Sequence, residues 1–305
     1  MTRWAKARAR EARGTMGRYD QEELARLLPW PAKEGNKYSR GKLVLFAGSS
    51  TYPGAACLAA CASQRAGAGY TEVFTAPRSV QALQVSRPSL VVHSWEGVYN
   101  EELQAMQEKR PCAYVVGPGF DVKKKHAASL CYFVLGRAKA PVLVDGGALP
   151  ALNTSAGTTL CKGRLPDGFP TVITPHMGEA KRLAEGCDIP LDDPAELSTM
   201  LSLHYGVITV LKGPVTYVSD GSEVYALSSG TPALAKAGTG DVLAGVIGAF
   251  LAQGLDALDA AVLGTILHGK AGCLAADALT EICVTAEDVI DFLPKAIRSF
   301  ARPTS

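Results

Sequence analysis

The chain has 305 residues, 47% of them hydrophobic and 20% charged, with a net charge of +2; that is enough apolar material for one large core, near the size at which single cores stop growing. So even a balance gives no ground for a nucleic-acid partner, and the longest apolar run, Val242 to Ala252, falls far short of a bilayer span of roughly 20 residues. The eight cysteines form no C-x-x-C pair, which argues against a dithiol or zinc framework and fits a reducing, cytoplasmic setting.

Residues 1–35 read as a basic and polar leader. Arg3, Lys6, Arg8, Arg10, Arg13 and Arg18 face the single acid Glu11 with no apolar segment behind them, so a solvated tail or helix is favoured over a signal or transit peptide. Asp20 then caps a short helix that Pro29 and Pro31 end. Residues 36–300 read as one catalytic domain. Apolar runs at Lys42 to Ala47, Thr71 to Thr75, Ala113 to Val116, Val142 to Val144, Thr171 to Thr174 and Val207 to Leu211 are nearly continuous. Strands buried on both faces of a mostly parallel sheet look like this, so the expected fold class is α/β with three layers, α/β/α. Cys57 and Cys61, four apart in an alanine-rich run, share one helix face and read as small packing residues. Val215 to Val218, the turn Asp220-Gly221 and Glu223 to Ala226 predict an antiparallel hairpin at the sheet edge. Two long helices follow, from Gly238 to about Gln253 and from about Asp256 to Leu279.

The strongest chemical signal is Ala237-Gly238-Thr239-Gly240-Asp241. Glycines let successive N–H groups converge and the helix that starts there adds its positive end, which makes Gly238, Thr239 and Gly240 an anion hole. Asp241 at its mouth suits a base that takes a proton from an attacking hydroxyl, or it merely caps the helix. Lys212-Gly213-Pro214-Val215-Thr216 sets a cation and open backbone at a strand end, where α/β sheets bind ligands. In Thr174-Pro175-His176-Met177-Gly178-Glu179, His176 stands in a strand-to-helix turn, as a ligand contact or a surface hydrogen-bonder. Glu179 is a first-turn acid, or reaches a metal through water. Glycine-rich turns at Ala47-Gly48-Ser49, Gly54-Ala55-Ala56 and Gly117-Pro118-Gly119, and the strand-end carboxylate Asp145, complete the set. Neither a P-loop nor a complete G-x-G-x-x-G is present.

Taken in order, these segments, together with Asn36-Lys37 and Arg65-Ala66-Gly67-Ala68-Gly69, resemble the NAD(P)H-hydrate dehydratase family of the ribokinase-like superfamily over roughly residues 36–280. Lys37-Tyr38-Ser39-Arg40-Gly41 departs from the family's pattern before the first strand. The resemblance implies a ribokinase-like sheet with an antiparallel edge, and ADP-dependent dehydration of (6S)-NAD(P)H hydrate. It implies ADP or AMP along Lys212, Gly213, Pro214, Val215, Thr216 and Gly240, and the hydrated dinucleotide against Ala55, Gly119, His176 and Asp241. Mg2+ on the phosphates, a homo-oligomer with a tetramer favoured, and a separate epimerase follow from the same likeness, and the wording of Gly54-Ala55-Ala56 resembles the bacterial, ADP-using branch. The alternatives are a small-molecule kinase of the same superfamily, acting on a vitamin precursor or sugar, and a nucleotide-binding sensor without catalysis.

Overall fold

The computed structural model describes residues 19–96, 98 and 111–300. Its strands are β1 (Lys42–Phe46), β2 (Tyr70–Thr75), β3 (Val91–Ser94), β4 (Cys112–Val116), β5 (Val142–Val144), β6 (Thr171–Ile173), β7 (Ile208–Leu211), β8 (Thr216–Ser219) and β9 (Val224–Leu227). They form one nine-stranded sheet in the order β3-β2-β1-β4-β5-β6-β7-β8-β9. Every pairing from β3 through β7 is parallel, and β8 and β9 add antiparallel neighbours at one edge.

Alternation along β1 explains the layers. Leu43 and Leu45 pack into one core, and Val44 and Phe46 into another on the opposite face. The first core is covered by α2 (Pro53–Arg65), α8 (Thr239–Ala252), α9 (Ala257–Leu279) and α10 (Ala286–Arg298). The second is covered by α4 (Lys125–Arg137), α5 (Ser155–Arg164), α6 (Met177–Ala184) and α7 (Pro194–Tyr205). A sheet covered on both faces needs apolar residues at nearly every strand position, which is why the expected runs were continuous.

Helix α8 is buried on almost every side, so its small residues decide how close its neighbours come. A Cβ on Gly245 would lie 2.1 Å from the Ala59 carbonyl oxygen of α2. Gly245 therefore lets α2 and α8 approach backbone to backbone, which sets how α8 lies against α2.

Strand β3 has no counterpart among the expected runs. Only one of its four residues is buried, and His93 bonds Glu72 at 2.9 Å on β2. An edge strand this short and polar lacks the apolar signature. The helix expected after Asp20 is α1 (Gln21–Leu27), with Asp20 accepting from the Glu23 N–H at 2.8 Å. Tyr19, Leu24 and Leu28 are buried, and the Tyr19 hydroxyl meets Asp259 of α9 at 2.6 Å, so this end of the leader packs on the body. The basic residues from Arg3 to Arg18 lie outside the described residues. Among the described residues no helix is long and apolar enough to cross a membrane.

Candidate active site

The strand order places the site. From β1 the chain runs outward through β2 and β3, then returns beside β1 as β4 and continues the other way. Connections leaving β1 and β4 therefore diverge, and they open a crevice beyond the carboxyl ends of the strands. The β1 connection carries Ala55 at the start of α2, and the β4 connection carries Gly119. These two residues meet across the crevice: a Cβ on Gly119, whose φ is +68°, would come within 2.5 Å of the Ala55 Cβ.

Farther along the same edge, three strand ends assemble a charged network. Asp145, directly after β5, is almost fully buried. Its Oδ1 accepts from the Thr174 hydroxyl at 2.6 Å, beyond β6, and from Lys212 Nζ at 3.0 Å, beyond β7. Lys212 is held by its own backbone, whose N–H donates to the Pro175 carbonyl at 2.8 Å. Burial works against the Lys212 charge, but Asp145, Glu179 and Asp241 outweigh it and hold its pKa above the usual lysine range.

Helix α8 points its first turn at this cation. Gly238 is the N-cap with φ +93°, and a Cβ there would approach Leu58 Cδ1 at 2.7 Å and the Ala286 Cβ at 3.0 Å. Only glycine satisfies both the left-handed backbone and the tight packing. No side chain caps the turn, and the N–H groups of Gly240 and Asp241 find no acceptor among the described residues. Two open donors at a helix start form a ready anion site. A Cβ on Gly240 would lie 3.3 Å from Lys212 Nζ, so the lysine stands beside these donors. Thr239, expected among the anion-hole donors, is spent on the turn itself: its N–H donates to the Lys236 carbonyl at 3.4 Å, and its hydroxyl shares one hydrogen between the carbonyls of Leu234 at 2.7 Å and Lys236 at 2.9 Å.

Asp241, in the same turn, has its pKa raised to about 7, first by burial, then by Asp145, with Lys212 opposing. A carboxyl that titrates near neutrality can both take up and release a proton there, whereas an ordinary capping aspartate stays ionised. His268 of α9 completes the surroundings. Burial pushes it down to about 4, the Thr239 backbone opposing and Lys212 adding, and its Nε2 has no partner among the described residues. Sequence reading passed over His268, which sits in an apolar helix with no local signal. It singled out Asp145 only as a strand-end carboxylate, and Thr174 only as part of the turn.

His176 and Glu179 take a different form. His176 is the N-cap of α6: its Nδ1 accepts from the N–H groups of Gly178 at 3.0 Å and Glu179 at 3.3 Å, and Glu179 Oε2 accepts from the His176 N–H at 2.8 Å. With Nδ1 accepting, Nε2 carries the proton of the neutral ring. Nε2 lies 3.6 Å from Glu179 Oε2, beyond hydrogen-bond distance, and the side chain is 55% exposed, so a ligand can reach it. His176 also pairs with Lys212 in an isolated parallel bridge, bringing the third cluster beside the second. Gly213, Pro214 and Val215 lie in the link between β7 and β8, with Gly213 and Pro214 exposed, and Thr216 opens β8.

Known proteins resemble this chain in sequence and in fold. The family model for NAD(P)H-hydrate dehydratase matches residues 43–295. An ADP-dependent (S)-NAD(P)H-hydrate dehydratase of Xanthomonas campestris is 30% identical over 279 residues, covering 88% of this chain and 92% of the relative. The bifunctional NAD(P)H-hydrate repair enzyme Nnr of Mycobacterium leprae is 35% identical over 263 residues, covering 83% of this chain and 50% of its own length. This chain thus spans about half the length of the first curated relatives it matches. Among solved structures, the ADP/ATP-dependent NAD(P)H-hydrate dehydratase of Bacillus subtilis, co-crystallised with ATP and Mg2+, aligns with a TM-score of 0.79 at 27% identity, covering 92% of this chain and 98% of that one.

Proposed function

The chain belongs to the NAD(P)H-hydrate dehydratase family, and from that premise we propose that it restores NAD(P)H from its (6S)-hydrate using ADP, releasing AMP and phosphate. The observation that carries the proposal is the uncapped first turn of α8, with two open N–H donors, Lys212 beside them and Asp241 tuned to about 7.

A hydroxyl on the reduced ring is a poor leaving group. Asp241 takes its proton, the oxygen attacks the terminal phosphorus of ADP, and AMP departs. The ring nitrogen's lone pair then expels phosphate, and loss of a proton from the neighbouring ring carbon regenerates the reduced nicotinamide. The Gly240 and Asp241 N–H groups and Lys212 receive the charge that develops on the phosphoryl oxygens, donors of a kind worth about 3–4 kcal/mol each. The nucleotide lies along Lys212 to Thr216 and Gly240. The hydrate lies in the crevice of Ala55 and Gly119, with His176 Nε2–H as a donor and Asp241 at the reacting carbon.

Among the described residues no group of three His, Cys, Asp or Glu side chains is placed to hold a metal ion. A Mg2+ carried on the nucleotide phosphates would be reached by Glu179 through water. When bound, the ion neutralises phosphate charge. A cytoplasmic location, a homo-oligomer with a tetramer favoured, and a separate epimerase complete the proposed setting; light scattering on the eluting protein reads the assembly.

The test is recovery of the reduced-nicotinamide absorbance when the protein, Mg2+ and ADP meet hydrated NADH, with ATP in a parallel sample. Recovery with release of inorganic phosphate is expected with ADP. A stable phosphorylated product, or no recovery with either nucleotide, overturns the assignment.

A further inference from the structure

A cavity of about 520 Å3 opens on the side of α2 toward α3 (Pro77–Ser86) and α10. Its wall includes Cys57 and Cys61 of α2, Ser86 and Arg87 at the end of α3, and Glu287 and Asp291 of α10. The expected packing role of the two cysteines holds only in part: both are half-buried against the core, yet both line this opening. Cys57 Sγ lies 3.9 Å from Cys61 Sγ and 3.4 Å from Ser86 Oγ. The buried Nε of Arg87 has no hydrogen-bond partner among the described residues, while Asp291 meets Arg65 at 3.6 Å.

We propose that Cys57 is a thiol–disulfide exchange site for a small zwitterionic disulfide of the amino-acid or short-peptide type, bound in this cavity with a carboxylate toward Arg87 and an ammonium toward Glu287 and Asp291. The volume falls in the range of about 300–1,000 Å3 typical of small-ligand sites. The rim offers both charges such a molecule carries. The proposed dehydratase chemistry uses none of these residues, so this site stands or falls independently of it.

The pair is chemically unequal. The Cys57 thiol is lowered to about 6, chiefly by the hydrogen bond from Cys61; burial opposes this, and Ser86 and Arg87 add to it, while Glu287 works weakly the other way. The Cys61 thiol is pushed up and stays protonated as the donor. Cys61 and Arg87 both favour the thiolate at Cys57, which also meets Ser86 Oγ at 3.4 Å, and the thiolate is the nucleophile in exchange. It attacks one sulfur of the bound disulfide; the new S–S bond forms as the old one breaks, and the released thiolate takes a proton from water. No electrons pass to any other partner. Exchange stops at the mixed disulfide, because residues four apart on a helix hold their β-carbons about 5–6 Å apart, whereas a disulfide needs about 3.8 Å.

The test is incubation of the full chain with glutathione disulfide at neutral pH, read by intact mass and peptide mapping. A single glutathionyl group on Cys57 is expected, absent from Cys57→Ser and unchanged in Cys283→Ser, which removes an exposed thiol. Arg87→Ala should slow the reaction severalfold with glutathione disulfide but not with uncharged hydroxyethyl disulfide. Alkylation of Cys57 by iodoacetamide should reach half its maximal rate at lower pH than alkylation of the exposed Cys283, and in Cys61→Ser that advantage should shrink. Mapping of the unaltered protein decides the question even if a variant folds poorly. Adducts on Cys283 or Cys187 with Cys57 untouched overturn the proposal, as does a rate unaffected by Arg87→Ala.

Discussion

Two helices start near Lys212 at the same edge of the sheet, and their first turns are built in opposite ways. Helix α6 satisfies itself: His176 Nδ1 takes two of its N–H groups, and Glu179 returns a bond to the His176 backbone. Helix α8 begins at a glycine, which has no side chain to offer, and the Gly240 and Asp241 donors stay open. The helix dipole is common to both, so it is not what separates them. A terminus that caps itself has already spent the donors an anion needs, and only the uncapped one can hold a phosphoryl group.

Asp241→Asn gives the largest expected effect. Turnover should fall by about 10²- to 10⁴-fold, the usual contribution of a general base, while calorimetry finds ADP binding little changed. Equal loss of binding would show that the turn holds the nucleotide through Asp241, and the contrast with α6 would blur. The same variant should gain stability at high pH. In the folded protein Asp241 binds its proton more tightly than an unfolded aspartate, with a pKa of about 7 against 3.8. Its contribution to stability is present below the unfolded value and lost as pH rises through 7. Thermal melts should therefore show Asp241→Asn above the parent at pH 8 and level with it near pH 4.

Next comes Lys212→Met. Losing a charged partner for the phosphates should weaken ADP roughly ten- to hundredfold. Because Lys212 opposes the upward shift of Asp241, the rise of kcat/KM with pH, centred near 7 in the parent, should move to higher pH. A profile that stays put would separate the lysine from the base.

Gly238→Ala asks whether α8 can be built otherwise. Positive φ and contact with Leu58 and Ala286 should cost about 1–3 kcal/mol, read from denaturant midpoints, together with a loss of ADP affinity. His176→Ala is the mildest. Removing the cap of α6 should cost about 1 kcal/mol. If KM for the hydrate rises as well, His176 also serves the ligand through Nε2; an unchanged KM would leave it a cap alone.

Much of this was legible in the chain. The runs from Lys42 to Leu211 gave six of the seven parallel strands, because burial on both faces leaves a continuous apolar signature. The Asp220-Gly221 turn marked the antiparallel edge, and Gly238 to Asp241 marked the start of α8. Strand β3 was silent because it is short, polar and at the edge. The charged network was silent for a different reason: Thr174, Asp145 and Lys212 are far apart in sequence and become neighbours only where consecutive parallel strands end side by side.

The sequence by itself determined the α/β class, the glycine turn and the identity of the groups available for chemistry, since local propensity, hydrophobic period and backbone freedom are properties of neighbouring residues. Only the tertiary structure decided that Lys212 stands beside the open turn of α8, that Asp241 is held near neutrality, and that Cys57 and Cys61 face a cavity. Those outcomes depend on burial and on charges brought together across the sheet. Desolvation and Coulomb interaction act through space, and no stretch of chain carries them alone.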